Sequence, residues 1–438
     1  MKVLFLYLFK QNAQSRTLRV APLTHSLLAA YTPPDVEVSI IDESFQVIDF
    51  DMEVDLVAIT IIVPQAPRAH EVAREFRRRG KTVVCGGSYP SLLPDEAAQY
   101  FDAVVIGQGD QVWPWLLNDF LKGDLKQFYR GDPEIPPEII PFARRELLHP
   151  EGYSILNTVQ ATRGCPFSCT FCTSSAVYPG FSALPVERVV REIDQLEGGV
   201  LQRKIFAFLD NNLMADPLWS KSLFLEIAPL GKFWIAQSTF SITKDRELVK
   251  LAAKSGCKLI FFGLESFNTL SLRSVNKSHN TVERYRDGIK LLHDCGISVS
   301  AGIIFGFDDD YKDIFSLTLE HCIELGIDII GANILVPYPG TSIFEQFNRE
   351  GRIIGQDWSK YDGKHAVFRP KHMTAEELED GRNWFNWEFY SNNSIIKRTL
   401  ISRSAPWITL PVNLAMHRVR NGHVEDSRKR GKDFSRAA

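Results

Sequence analysis

Short apolar runs separated by polar, helix-forming stretches recur along the chain in two blocks. In the first block the runs are KVLFLYL, VEVSIIDES, DLVAITIIV, KTVVCGG and DAVVIGQGD. They are rich in β-branched residues and alternate little, as strands buried on both faces do. PQAPRAHEVAREFRRRG, between two of them, is polar and helical and closes on a glycine suited to a helix C-terminus. The pattern predicts an open, parallel, five-stranded sheet over residues 1–115, with a further helix at WPWLLNDFLKG. Residues 130–150 carry five prolines and little periodicity, which marks a linker.

The rhythm returns at about residue 151 with YSILNTVQATRG, KIFAFLDNN, KFWIAQSTF, KLIFFGLES, ISVSAGIIFGF and DIIGANILVPYPG. Helices between these six runs stop at KSGC, HDCG and ELGID, and one starts with a capping box, Asn280 with Glu283. Successive βα units on right-handed crossovers predict a partial TIM-type barrel of six strands. A second capping box, Thr374 with Glu377, opens an aromatic helix bearing Trp384, Phe385, Trp387, Phe389 and Tyr390. The last twenty or so residues are basic and polar, and a frayed tail is expected there. The predicted class is α/β: an open, doubly wound, Rossmann-like sheet (1–130), a linker (131–150), a partial (βα)6 barrel (151–360) and a helical extension (361–438).

Composition narrows the picture. The chain has 438 residues, 45% of them hydrophobic, and a net charge of −3, so electrostatics gives no general affinity for nucleic acid. The apolar start MKVLFLYLFKQNAQ has no small-residue cleavage site after it and reads as a first strand. No run approaches the roughly 18 apolar residues of a membrane span; a membrane-surface role for the aromatic helix, which a basic tail follows, is the lesser reading, and membrane contact is not expected. Of seven cysteines, Cys85, Cys257, Cys295 and Cys322 stand alone in apolar surroundings and outline no disulfide framework. A cytoplasmic location is expected.

The other three cysteines fall within RGCPFSCTFCTSS, as Cys165, Cys169 and Cys172, directly after the first strand of the second block. That is the carboxyl end of a parallel strand, where barrel active sites are built. A zinc site would need a distant fourth ligand, since no second CxxC and no HxxxH lies nearby. Three free thiols on a purely structural turn are another reading. The third is a [4Fe–4S] cluster with three thiolate ligands and one iron open to a small molecule.

CxxxCxxC after the first barrel strand, with Phe171 before the third cysteine, resembles the radical S-adenosylmethionine superfamily. GLES, GIIFGFDDD and PYPGT on the fourth, fifth and sixth runs are similar to further elements of it. The resemblance implies that methionine's amino and carboxylate groups chelate the open iron. One electron then cleaves the S–C5′ bond, and a 5′-deoxyadenosyl radical abstracts a substrate hydrogen. It implies an electron donor such as flavodoxin or ferredoxin. By family position Glu265, Gln237 and Ser238 are expected to touch S-adenosylmethionine, and Gly302 and Gly306 to let adenine approach the backbone. Asp210 stands in the DNN stretch where many members carry Gly-Gly-Glu, so the amino-group partner departs from the family pattern.

The first block resembles the cobalamin-binding domain that precedes the barrel in one large subgroup. Its usual Asp-x-His-x-x-Gly loop is replaced by FKQNAQSRTLRV, without histidine, so cobalamin is expected without a histidine ligand. Thr60, Gly86 and Gly87 are the expected contacts, the paired glycines allowing close approach of a flat ligand. Gly107–Asp110 (GQGD) resembles the acidic element that ends this domain. The resemblance implies C-methylation of an unactivated carbon in a small metabolite or lipid. The alternative is radical chemistry without methyl transfer (cyclisation, rearrangement, dehydration or carbon–carbon bond formation) and without cobalamin. The aromatic helix hints at a lipid-like or ring-bearing substrate.

Overall fold

The computed structural model describes residues 1–9, 19–132, 140–178 and 180–429, with side chains to residue 419. Most of the histidine-free loop, part of the expected linker and the end of the basic tail lie outside the described residues.

Six parallel strands form the first sheet: β1 (Lys2–Tyr7), β2 (Glu37–Asp42), β3 (Leu56–Thr60), β4 (Thr82–Gly86), β5 (Ala103–Ile106) and β6 (Phe128–Arg130). Their order is β2-β1-β3-β4-β5-β6, so the chain reverses direction across the sheet at β1/β3, where crevices for ligands open in such folds. The run VVC on β4 and the centre of β1 are buried on both faces, as unalternating β-branched runs require. β6 is the one strand of this sheet not predicted. It has only three residues and alternates exposed, buried, exposed, which is too short a signal against the linker composition around it.

The YSILNTVQATRG run divides into β7 (Asn157–Val159) and β8 (Thr162–Gly164). β7 pairs with β10 (Ile205–Phe208), while β8 pairs antiparallel with β9 (Phe181–Ala183). β11 (Phe233–Ser238), β12 (Cys257–Glu265), β13 (Ser298–Phe305) and β14 (Ile329–Ile334) complete a parallel, open six-stranded sheet in the order β14-β13-β12-β11-β10-β7. Helices cover its outer face, and Phe206, Trp234, Phe262 and Phe305 lie fully buried in the main core.

Two helix starts differ in outcome. Thr374 and Glu377 form the reciprocal cap, Glu377 N donating to Thr374 Oγ1 and Thr374 N to Glu377 Oε2. Asn280 does not cap a helix. Its amide donates to the Gly263 and Leu264 carbonyls, tying down the end of β12 instead. The aromatic helix also breaks in two, Ala375–Phe389 and Asn392–Ser402, because Ser391 caps a new start at Ser394 N. A third helix, Pro406–Lys429, occupies the first part of the expected tail. Of the aromatic stripe, Phe385, Phe389 and Tyr390 are core, while Trp387 stays exposed.

Candidate active site

The cysteine loop lies between β8 and β9. Gly164 adopts φ +72°, a turn that favours glycine, and Cys165 N donates to the Gly180 carbonyl across the hairpin. Within the loop Cys172 N donates to Cys169 O, and Ser175 Oγ closes onto Cys172 O. The segment after β12 staples the loop from outside. Thr170 N donates to Val275 O, Asn276 Nδ2 to Ser168 O, and the rings of Phe167 and His279 stack at 3.8 Å. All three thiols are free and partly exposed. Among the described residues no three His, Cys, Asp or Glu side chains converge as ligands of a single ion would.

A cation stands behind the thiols. The Lys277 ammonium pairs with Glu265 Oε1 at 3.1 Å and lies 5.9 Å from the Phe171 ring centre. Burial pushes the Cys169 thiol up to about 11, and Lys277 works against it. Thiolates are what iron takes, so a buried cation beside them favours loading. Burial likewise raises the Glu265 carboxyl, with Lys277 opposing. Glu265 ends β12 at φ +65°, after a shift in pairing register, and that unusual backbone turns the strand end toward the loop.

The DNN stretch divides its duties. Asn212 Nδ2 reaches Cys165 Sγ at 3.8 Å, and its Oδ1 accepts from Ser238 Oγ at 3.0 Å and from Thr239 N. Ser238 thus acts on the cysteine loop through Asn212, a link not foreseen from the sequence. Gln237 is exposed and donates to the Asn211 carbonyl. Asp210 is buried, and its Oδ1 accepts from Ala161 N, Thr162 N and Thr162 Oγ1, which fastens β8 beneath the loop. Burial pushes this carboxyl up to about 7. Gly302 and Gly306 answer packing demands: a β-carbon would meet Phe261 Cζ at 2.8 Å in the first case and Leu378 Cδ2 at 2.8 Å in the second. At Gly306 the same β-carbon would lie 3.1 Å from Phe368 Cζ.

An open cavity of about 410 Å³ lies between the carboxyl ends of the first sheet and the cysteine hairpin. Thr60, Gly86 and Gly87 line one side, and Arg163, Gly164 and Tyr178 the other. The three residues expected from the first block thus meet the flank of the cysteine loop in one space. Sequence reasoning missed His25, in the first turn of the helix Thr24–Tyr31. Its Nε2 lies 2.7 Å from Thr60 Oγ1, its ring is 3.7 Å from that of Tyr7, and burial lowers its pKa to about 3. It is therefore neutral, and its Nδ1 is buried with no partner. No local motif marks it; only the β1/β3 adjacency brings it to Thr60.

The profile of the Radical SAM superfamily matches residues 159–322. A bacteriochlorophyllide d C-12(1)-methyltransferase of Chlorobaculum tepidum is 32% identical over 371 residues, 83% of this chain and 80% of that protein. Two solved structures are similar in fold. One is the radical S-adenosylmethionine methyltransferase TsrM of Kitasatospora setae with cobalamin and a [4Fe–4S] cluster bound, at TM-score 0.63 and 18% identity over 80% of this chain and 78% of that one. The other is the cobalamin-dependent S-adenosylmethionine radical enzyme OxsB with aqua-cobalamin and S-adenosylmethionine bound, at TM-score 0.66 and 15% identity over 90% of this chain and 67% of that one.

Proposed function

The chain belongs to the radical S-adenosylmethionine superfamily, and from that premise we propose that it is a cobalamin-dependent C-methyltransferase. Its substrate would be an apolar, ring-bearing small molecule of the size of the bacteriochlorophyllide named in its relative, methylated at an unactivated carbon. The observation that carries the reading is the shared cavity, walled by Thr60, Gly86 and Gly87 on one side and by the cysteine hairpin on the other.

When bound, the cluster with S-adenosylmethionine supplies one-electron cleavage to a carbon radical, and cobalamin supplies a carrier for the methyl group. Cys165, Cys169 and Cys172 would hold the cluster, with Asn212 donating to the first thiolate and Lys277 balancing charge behind the others. Glu265, at its strained strand end, would accept from the ribose or amino group of S-adenosylmethionine, with Gln237 a further polar contact. Gly86 and Gly87 would lie against the corrin, with the hydroxyl of Thr60 oriented by His25. Among the described lining residues charge enters this space only as the Arg163–Asp110 pair, which is mutually neutralised. A low-potential flavodoxin or ferredoxin would deliver the electron.

The test is anaerobic reconstitution with iron, sulfide and hydroxocobalamin, followed by gel filtration and mass spectrometry after addition of S-adenosylmethionine and reductant. Stoichiometric retained cobalamin, with both S-adenosylhomocysteine and 5′-deoxyadenosine formed, is expected. Alanine at Cys165, Cys169 or Cys172 should abolish the cluster and both products. 5′-Deoxyadenosine alone, with no cobalamin retained, would assign the protein to radical chemistry without methyl transfer.

A further inference from the structure

The two C-terminal helices have their polarity reversed. In Asn392–Ser402 the inward face carries Ser394, Arg398 and Ser402 along with Ile395, whereas Ile396, Leu400 and Ile401 face outward, the first two 59% and 64% exposed. In Pro406–Lys429 the buried positions include Thr409 and Asn413, while Trp407, Leu410 and Leu414 are outside, Trp407 at 54%. The spacings, four in the first helix and three then four in the second, gather these side chains into one stripe on each helix.

Hydrogen bonds account for the inward faces. Arg398 donates to the carbonyls of Ile327, Asp328 and Phe389 and to Asn413 Oδ1, with its guanidinium 3.6 Å from the Phe389 ring centre. Ser402 Oγ donates to Asp328 Oδ1, and Asn413 Nδ2 to Asp328 O. These hydrogen bonds seat the inward faces, and of the outer apolar side chains Ile401 packs on Gly326 and Trp407 edges onto Phe233, while Ile396, Leu400, Leu410 and Leu414 stay exposed. A helix facing water carries the opposite arrangement, and a contiguous exposed apolar patch marks a contact surface.

Charge decides among occupants. From Ser391 to Val424 the chain has no acidic residue, although it has 53 Asp and Glu in all. Lys397, Arg403 and Arg418 are exposed beside the stripes. A second copy related by a two-fold axis would set these cations against themselves. An anionic bilayer offers them phosphate and offers the stripes its acyl boundary, the setting in which tryptophan is favoured. No helix among the described residues is long and apolar enough to cross a membrane, but a helix lying in the interface needs no such length.

We propose that this face docks on an anionic lipid surface. It lies at the amino ends of the barrel strands. Ser404 Oγ is 3.1 Å from Ser298 Oγ at the start of β13, and the Trp407 ring is 5.9 Å from that of Phe233 at the start of β11. The cysteine loop is at the opposite ends, so docking leaves the cofactor cavity clear.

The reconstituted full chain is tested by co-sedimentation with vesicles of phosphatidylglycerol and phosphatidylcholine, and with vesicles of phosphatidylcholine alone. Salt-sensitive binding that prefers the anionic vesicles is expected. Ile396→Ser/Leu400→Ser, at the two most exposed positions of the stripe, should weaken it by about tenfold while the thermal midpoint and product formation stay as in the parent. Lys397→Glu/Arg403→Glu/Arg418→Glu, which leaves the apolar stripes intact, should remove the preference for anionic vesicles. Parent protein left in the supernatant with both vesicles overturns the proposal, as does binding unchanged in the serine variant. A dimer in sedimentation velocity that the serine variant dissolves would assign the face to a second copy and equally overturn it.

Discussion

Asp210 combines two properties that rarely occur together: three hydrogen bonds on one oxygen and, on the other, a buried Oδ2 with none. Burial outweighs the donors and lifts the carboxyl from its ordinary value near 4 to about 7. Between those pH values the folded chain holds a proton that the unfolded chain has released. The stability this group contributes is therefore fully present below about pH 4 and is lost as pH rises through about 7. Asp210→Asn keeps an oxygen for Ala161 and Thr162 and carries no charge. Relative to the parent, the variant should gain about 3 kcal/mol between pH 5 and pH 8, read from denaturant unfolding at both values. A difference that does not change with pH would mean that Asp210 is already ionised at pH 5. The same residue fastens β8 below Cys165, so cluster content in the variant should follow its stability.

The carboxyl edge of β3 and β4 works as an element through two adjacent glycines with different jobs. Gly87 sits at φ +104°, and a β-carbon there would lie 2.6 Å from the Ile61 carbonyl oxygen. That oxygen already accepts from Tyr89 N, while Ile61 N donates to Gly86 O. Gly87→Ala should therefore destabilise the chain by about 2 kcal/mol or more. Gly86 has ordinary backbone angles, and its β-carbon would meet nothing nearer than Val105 Cβ at 3.7 Å. Gly86→Ala should leave the thermal midpoint nearly unchanged while reducing retained cobalamin, and retention equal to the parent would remove this edge from the corrin contact. Thr60, Gly86 and Gly87 could be picked out as candidates in the sequence because they stand at the ends of strands whose apolar runs are unmistakable, and the three cysteines because their spacing resembles a family motif. His25 was not legible, because its partner Thr60 is 35 residues away and only the order β1-β3 joins them. The C-terminal helices Asn392–Ser402 and Pro406–Lys429, where one aromatic helix and a frayed tail were expected, were not legible for another reason. Periodicity tells that a helix has an apolar face, but not which way that face turns, and here the buried side is fixed by Arg398, Ser402 and Asn413.

At the scale of the whole molecule, the first sheet is joined to the rest of the chain by contacts away from the cavity and by one at its wall. Tyr153 Oη donates to Asp42 at 2.8 Å, Trp358 Nε1 to Glu96 at 2.7 Å, and Trp358, Tyr361 and Val367 enter the core of the first sheet. The central contact is Arg163, two residues before Cys165. Its guanidinium grips both oxygens of Asp110 at 3.0 and 2.9 Å and Gln108 Oε1 at 2.6 Å. Asp110 is buried, so Arg163→Ala leaves a carboxylate without its counter-charge and should cost about 3 kcal/mol or more. Asp110→Asn alone strands the cation, and Arg163→Met with Asp110→Asn removes both charges. The double variant should recover most of the stability lost in either single one, a coupling of about 2 kcal/mol in a double-mutant cycle. It should not recover cobalamin retention, because the bidentate grip holds the first strand of the cysteine hairpin against the GQGD turn, and an uncharged pair cannot reproduce that geometry. Stability and retention restored together would mean that the pair only balances charge. A coupling near zero, with the two sheets melting separately, would mean that the cavity is a seam between independent units rather than a site built by both.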